Sequence, residues 1–230
     1  MPVSMEKRLK PLLNLAEENL MVHEIYASVQ GESTYAGIPC TFIRTTACNL
    51  RCTWCDTAHA FGKGQVMTID EVFEQVSAMG PRLVELTGGE SLLQPAVHPL
   101  MTRFLDAGFQ VLLETSGSLD IGCVDSRVVK IVDLKAPGSG EVEANLWDNM
   151  DKLLAHDEIK FVLQGREDYD WAKSVIAEHN LAGRCELLMS TVFEKLSPET
   201  LVNWIMEDNL PVRMQLQMHK YIWDPRQRGV

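Results

Sequence analysis

Apolar and polar residues recur along this chain with two different periods, and the switches between them mark the elements. Residues 5–19 carry Leu9, Leu12, Leu13 and Ala16 on one face, which predicts an amphipathic helix. "HEIYASVQ" (23–30) and "PCTFIRTT" (39–46) read as strands. In "TIDEVFEQVSAMG" (68–80) the period becomes helical. Thr68 is placed to cap, Glu71 completes a capping box, and Gly80-Pro81 is the stop. "RLVELTGG" (82–89) is a strand, "HPLMTRFLDAG" (98–108) a helix ending at Gly108, and "QVLLETSG" (110–117) a strand. "VVKIVDLKAPGSG" (128–140) is a strand running into a loop. A helix over 143–155, a strand "EIKFVLQG" (158–165) and a helix "DYDWAKSVIAEHN" (168–180) follow. "CELLMSTV" (185–192) is a strand, "SPETLVNWIMEDN" (197–209) a helix, and "VRMQLQMH" (212–219) a last strand.

Strands alternating with helices predict an α/β fold with a mostly parallel sheet and crossover helices. Several strands are apolar throughout, as expected when both faces are covered. In such folds ligands sit at the carboxyl ends of the strands. There the chain places "TGGE", "ETSG" and "DLKAPGSG".

Composition narrows the function classes. The 230 residues are 46% hydrophobic and 23% charged, enough for one sizeable core. The N-terminus is charged throughout and has no signal-peptide core, and no apolar run is long enough to span a bilayer. A cytoplasmic protein with no membrane partner is expected. The net charge of −11 argues against a nucleic-acid partner, whose phosphates select Lys and Arg. A small anionic substrate stays open, because a pocket can be locally basic inside an acidic protein.

Six cysteines in a reducing compartment stay free or bind metal. Cys40, Cys123 and Cys185 sit among apolar neighbours and read as small buried fillers. Cys48, Cys52 and Cys55, spaced C-x3-C-x2-C, are different. A disulfide fits neither the compartment nor the odd number. A redox pair of Cys52 and Cys55 leaves Cys48 without a role. Zinc held by the three thiolates and His59 is a real alternative. An iron–sulfur cube with three protein thiolates, and one iron open to another ligand, is the fourth option. Glycine-rich turns on the following strand ends favour the cube, since an open iron needs a second molecule held beside it.

With Trp54 just before the third cysteine and a "GGE" turn downstream, the motif resembles the signature of the radical S-adenosylmethionine (SAM) enzymes. Within them the chain is most similar to the 7-carboxy-7-deazaguanine synthase family. The matching residues are Gln30-Gly31-Glu32, Phe42-Ile43-Arg44, Cys48 to Thr57, Thr87 to Glu90, Glu114 to Gly117, Asp133 to Lys135 and Gln217 to Lys220. The resemblance covers about residues 22–222. Ser91 stands where proline is usual, and the tail "IWDPRQRGV" runs past the usual end, as residues 1–20 precede the usual start. A single radical SAM domain over 21–230 is therefore expected, with a helical extension over 1–20. Its fold would be a partial (β/α) barrel with a truncated helical layer.

The resemblance implies roles residue by residue. Cys48, Cys52 and Cys55 would hold a [4Fe–4S] cluster whose fourth iron takes SAM. Thr87, Gly88, Gly89 and Glu90 would hold the methionine part of SAM. Ser116 and the edge Asp133, Leu134 and Lys135 would also meet SAM, with a looser match at Leu188 to Thr191. The backbone of Trp54, Cys55 and Asp56 would embrace the adenine. Val29, Gln30, Gly31, Glu32, Arg44, Thr87, Gln217 and His219 would hold 6-carboxy-5,6,7,8-tetrahydropterin. In that set Glu32 suits the guanidine-like ring edge and Arg44 the carboxylate, while Gln217 and His219 close the pocket from the last strand. Thr57 would ligate Mg²⁺, for which a hydroxyl is a fitting hard ligand; the plainer reading makes it a turn cap. The implied product is 7-carboxy-7-deazaguanine, formed with loss of ammonia on the route to queuosine and other deazapurines, with SAM re-formed each turnover. An electron donor such as flavodoxin and a homodimer are implied too. Two rivals remain at this stage: a radical SAM activase acting on a partner protein, and a non-catalytic zinc module using His59.

Overall fold

Eleven extended residues, Asn19–Val29, form β1, the longest strand of one nine-stranded sheet. The computed structural model describes residues 4–230, so the first three positions of the expected extension lie outside the described residues. The other strands are β2 (Pro39–Thr45), β3 (Gln65–Thr68), β4 (Leu83–Gly88), β5 (Gln110–Thr115), β6 (Val129–Leu134), β7 (Glu158–Leu163), β8 (Glu186–Thr191) and β9 (Arg213–Met214). Their order is β3-β1-β2-β4-β5-β6-β7-β8-β9. β1 pairs antiparallel with β2 and β3, and every pair from β2 to β9 is parallel. β3 and β9 end the sheet without pairing to each other, so this is a partial barrel.

The helices are α1 (Met5–Leu9), α2 (Ile69–Ser77), α3 (Val97–Asp106), α4 (Arg166–Glu178), α5 (Pro198–Glu207) and α6 (His219–Ile222). The Thr68–Glu71 capping box is present, with Glu71 N donating to Thr68 Oγ1 at 3.2 Å and Thr68 N to Glu71 Oε2 at 2.8 Å. α2 and α3 pack on the first half of the sheet through Val72, Val76, Leu100 and Phe104; α4 and α5 cover the second half through Tyr169, Ala172, Ile176 and Leu201. The concave face is plugged at one end by Cys40, Phe42, Leu83, Leu112, Val129 and Ile131. Above that plug the inward positions turn polar.

Four elements depart from the sequence expectation. The helix expected over 5–19 ends at Leu9 and tightens into a 3₁₀ turn over Lys10–Leu12. Pro11 lacks the N–H a longer helix needs, and Asn14 takes a left-handed φ of 72°. Residues 143–155 form two 3₁₀ turns, Val142–Ala144 and Trp147–Lys152. There Asn145 bonds Lys135 O at 2.9 Å and Asn149 bonds Leu119 O at 2.8 Å, tying the segment across the strand ends. The last strand is only Arg213–Met214; Gln217 lies in the loop beyond it and His219 opens α6. The short β3, with its exposed Gln65 and Val66, has too little pattern to be seen in sequence. Among the scattered cysteines Cys40 is buried and Cys185 half-buried, but Cys123 is exposed, because its turn buries Ile121 instead.

Candidate active site

Side chains alternate between the two faces of a strand, so each central strand aims one polar residue inward near its carboxyl end. These are Arg44 on β2, Thr87 on β4, Glu114 on β5, Asp133 on β6 and Lys160 on β7. The register sets Arg44 beside Thr87 and Asp133 beside Lys160. All five line one cavity of about 960 Å³ that also receives Cys48, Cys52 and Cys55.

The cysteine loop follows β2 and is anchored by backbone contacts: Ala47 N donates to Ala60 O at 3.0 Å, and Thr53 N to Ser139 O at 2.9 Å. The three thiols are free, and Cys48 Sγ accepts a hydrogen bond from Leu50 N at 3.3 Å. Burial pushes the Cys48 thiol up to about 12, so ligation must draw its proton away. The three sulfurs do not gather within 4.8 Å of one another, as a single tetrahedral ion would require, and among the described residues His59 clusters instead with His23 and Glu24. Three open thiols with an amide N–H on one sulfur fit a cube with one free iron better than a zinc ion. The zinc alternative is thereby left without its fourth ligand.

The "GGE" turn is shaped by close backbone approach. A Cβ on Gly88 would lie 2.5 Å from Thr45 O, and one on Gly89 only 1.9 Å from Ala47 O. Glu90 is wholly buried and does not line the cavity: it accepts from Thr115 Oγ1 at 2.9 Å, Ser116 N at 2.8 Å and Leu92 N at 3.1 Å. It therefore fixes the turn and the next strand end to each other. Ser116 does line the cavity, with its hydroxyl donated to Glu90 at 2.5 Å. Ser91, in the usual proline position, donates to Thr87 O at 2.8 Å and so stiffens the same turn. Leu134 is a core residue, whereas Asp133 and Lys135 reach the cavity as an ion pair at 2.7 Å. Leu188, Met189 and Ser190 are buried; at that strand end Val192, Phe193 and Glu194 meet the cavity.

A second polar group lines the same cavity. Glu32 accepts from Lys160 Nζ at 3.1 Å and from Gln217 Nε2 at 3.0 Å. Lys160 also pairs with Glu114, whose other oxygen accepts from Thr87 Oγ1 at 2.9 Å. Burial acts against the charges of this group, but mutual attraction prevails: Glu114 is held down to about 2 by Lys160, and Lys160 is raised well above the ordinary lysine range by Glu114 and Glu32. Glu85, beneath them and fully buried, goes the other way; burial and the Glu114 charge keep its carboxyl well above its usual range. Gln30 donates to Glu85 and accepts from Glu32 N at 2.9 Å, which positions the start of the Gln30-Gly31-Glu32 turn. Gly31 is where the C-terminal segment docks: its carbonyl accepts from Met218 N at 2.8 Å, and a Cβ would meet His219 Nδ1 at 2.5 Å. Arg44 donates to Glu24 at 2.8 Å and to Tyr26 OH at 2.9 Å. Val29, Trp54, Asp56 and the tail residues Arg226, Arg228 and Val230 complete the wall.

Thr57 precedes a 3₁₀ turn over Ala58–Phe61 but makes no side-chain cap bond; its hydroxyl donates to Asp56 Oδ1 at 3.0 Å. The plain capping role is therefore absent, and two oxygens stand together at the cavity.

Of the residues nominated from sequence, all but Glu90, Leu134 and the looser stretch Leu188 to Thr191 line this cavity. Sequence reasoning missed Lys160, Glu85, Glu24 and Tyr26 and gave Glu114 no role. The signal for Lys160 was present in "EIKFV", where charged and apolar residues alternate in a strand with buried neighbours.

Residues 42–135 match the model of the Radical SAM superfamily. A 7-carboxy-7-deazaguanine synthase of Koribacter versatilis is 45% identical over 226 residues, covering 92% of this chain and 100% of the relative. That of Chlorobaculum tepidum is 46% identical over 217 residues, covering 93% and 99%. The crystal structure of QueE from Escherichia coli matches with a TM-score of 0.73 at 22% identity, over 90% of this chain and 98% of that one, a likeness of fold.

Proposed function

The chain belongs to the 7-carboxy-7-deazaguanine synthase family of radical SAM enzymes, and from that premise we propose how its residues divide the work. It is a lyase that converts 6-carboxy-5,6,7,8-tetrahydropterin to 7-carboxy-7-deazaguanine with loss of ammonia, in queuosine and deazapurine biosynthesis. When bound, the [4Fe–4S] cluster and SAM supply the one-electron chemistry that starts the ring contraction. Cys48, Cys52 and Cys55 hold the cluster. Gly88 and Gly89 admit SAM to the strand ends, where Ser116, Asp133 and Lys135 meet it, and Trp54, Cys55 and Asp56 present backbone to its adenine. Glu90 and Leu134 support that surface from behind.

Pterin occupies the other wall. Glu32, with Gln30 and Val29, faces its guanidine-like edge; Arg44 takes the carboxylate; Thr87, Gln217 and His219 enclose the ring. The observation that supports this division is that the three thiols and the Glu32–Lys160–Glu114 group line one cavity, with both carboxylates paired to Lys160. An activase would need an open mouth for a polypeptide, whereas here Gln217, His219, Lys220 and the tail residues Asp224 to Val230 add a wall to the cavity. Anaerobic incubation with SAM, a reductant and the carboxypterin should yield the deazaguanine by mass spectrometry, with ammonia in equal amount and SAM undiminished. SAM cleavage with intact pterin would overturn the substrate assignment.

Arg44→Ala and Glu32→Ala separate the two walls. Each should weaken pterin binding by about 2–5 kcal/mol, as when one partner of a buried charge pair is removed. Uncoupled SAM cleavage without pterin should persist in both. Loss of SAM binding with pterin binding intact would mean the walls are reversed.

Mg²⁺ completes the reading. Thr57 Oγ1, beside Asp56 Oδ1, would be the protein ligand, and the metal it holds would supply a hard cation for the substrate carboxylate. Mg²⁺ should accelerate wild-type turnover, Thr57→Ala should lose most of that response, and Thr57→Ser should retain it. An unchanged Mg²⁺ response in Thr57→Ala removes the ligand role.

The remaining assignments are a single radical SAM domain over 21–230 with a short extension before it, a cytoplasmic location, a flavodoxin-type electron donor and a homodimer. No helix among the described residues is long and apolar enough to cross a membrane. Exposed Val202 and Met206 on α5, with Tyr221 and Ile222 on α6, offer apolar surface near the open sheet edge for self-association.

A further inference from the structure

The helix before β1 has no part in the chemistry above, yet one of its side chains reaches the cysteine loop. Between Thr46 and Thr57 the chain has no helix or strand, so its backbone groups must find partners elsewhere. On one side they find the turn after β6: Thr53 N donates to Ser139 O at 2.9 Å and Thr53 Oγ1 to Gly138 O at 2.9 Å. From α1, Arg8 Nη1 donates to the carbonyl of Asn49 at 2.5 Å and to Glu141 Oε1 at 3.2 Å. That same carboxylate oxygen accepts from the Arg51 amide at 2.5 Å. The Arg51 guanidinium closes the span from within, donating to Cys48 O at 2.8 Å and Leu50 O at 2.6 Å.

We infer that Arg8 is a positioning residue for the cluster: with Glu141 it braces the backbone between Cys48 and Cys52 and holds the first two thiols in place to receive iron. The inference rests on the reading that the three cysteines hold the cluster. Three features support it. Arg8 and Glu141 side chains are only 14% and 17% exposed, so this is not a solvated surface pair of small effect. Arg8 grips a main-chain carbonyl within the motif, so its grip is on loop shape and not on a mobile side chain. Its charge also lies beside a loop that must concentrate thiolate charge, which a nearby cation favours. A helix that merely covered the surface would need no half-buried ion pair reaching the motif's backbone.

The test uses full-length wild type, Arg8→Ala, Arg8→Lys and Glu141→Gln. After anaerobic reconstitution, Arg8→Ala should lose iron to a ferrous chelator about tenfold faster than wild type, the scale of one charge-assisted hydrogen bond. Arg8→Lys should fall between, because an ammonium keeps the charge without the planar fork. Its midpoint potential should stay near that of wild type, while that of Arg8→Ala falls. In the metal-free chains, trypsin should cut after Arg51 faster in Arg8→Ala and Glu141→Gln, since cleavage there requires the loop to open locally. Wild-type rates of iron loss and of Arg51 cleavage in Arg8→Ala overturn the brace. A wild type that binds no iron overturns the cluster reading instead, and the trypsin comparison then still decides the brace. Should Arg8→Ala unfold globally, its cleavage would scatter beyond Arg51, and the Arg8→Lys and Glu141→Gln chains carry the decision.

Discussion

Gly89→Ala is expected to abolish cluster retention and SAM binding together, although residue 89 ligates nothing. Its Cβ would stand 1.9 Å from the Ala47 carbonyl oxygen and 2.4 Å from its carbon, both main-chain atoms that no rotamer can move aside. Relief requires the "GGE" turn and the cysteine loop to separate, and the bond from Glu90 N to Ala47 O at 2.8 Å goes with them. Overpacking of this kind costs about 1–3 kcal/mol or more. The functional loss is larger, because a displacement of about 1 Å at a reacting centre costs about 100-fold in rate. Gly62→Ala is the control: a Cβ there meets no neighbour within 4 Å, and it should be neutral. Iron content, SAM binding and urea unfolding measure the effect. A Gly89→Ala protein with full iron and wild-type SAM affinity would show that the two loops are not in register.

Lys160→Met should disable pterin turnover while leaving uncoupled SAM cleavage. The substitution keeps the volume and removes the cation shared by Glu32 and Glu114, leaving two carboxylates without their countercharge. Removing one partner of a buried pair costs about 3–5 kcal/mol. Side-chain exposures of 18% for Glu32 and 29% for Glu114 place the effect at the lower end. Glu114 sets the pH signature. Its carboxyl sits at about 2 in the fold against 4.5 in the free group, so its stabilising contribution is complete above 4.5 and disappears as pH falls through about 2. The stability gap between wild type and Lys160→Met should therefore be full at neutral pH and narrow on acidification through that window. Lys160→Arg should recover part of both stability and turnover. Normal pterin KM and kcat in Lys160→Met would remove Lys160 from the site.

Much of the barrel, and the placing of the cysteine loop and the glycine turn on one cavity, were legible in the sequence because they depend on short-range signals. Capping at Thr68, the apolar runs of β4, β5 and β8, and paired glycines at a strand end each follow from residues a few positions apart. What sequence alone did not give depends on distant partners. The purpose of Glu90 is visible only when Thr115 and Ser116 are seen converging on its carboxylate, and "GGE" by itself suggests a ligand contact. Asn145 and Asn149 interrupt a helical pattern because of carbonyls 10 to 32 positions away. Lys160 reads as one polar residue in a buried strand until the register sets it across from Glu32, 128 positions earlier in the chain. His219 was expected on a strand, but the β8 edge pairs with only two residues before the chain turns toward Gly31.

The docking of Met218 and His219 on Gly31 has a consequence for the order in which the enzyme is made. The three thiols and the glycine turn lie between residues 45 and 90, whereas the wall at Gly31 needs residues 217–219 against residues 30–32. A nascent chain emerges from its N-terminal end, so the cysteine loop and the glycine turn are synthesised before the segment that docks on Gly31. The wall at Gly31 is therefore complete only after residues 217–219 have been made.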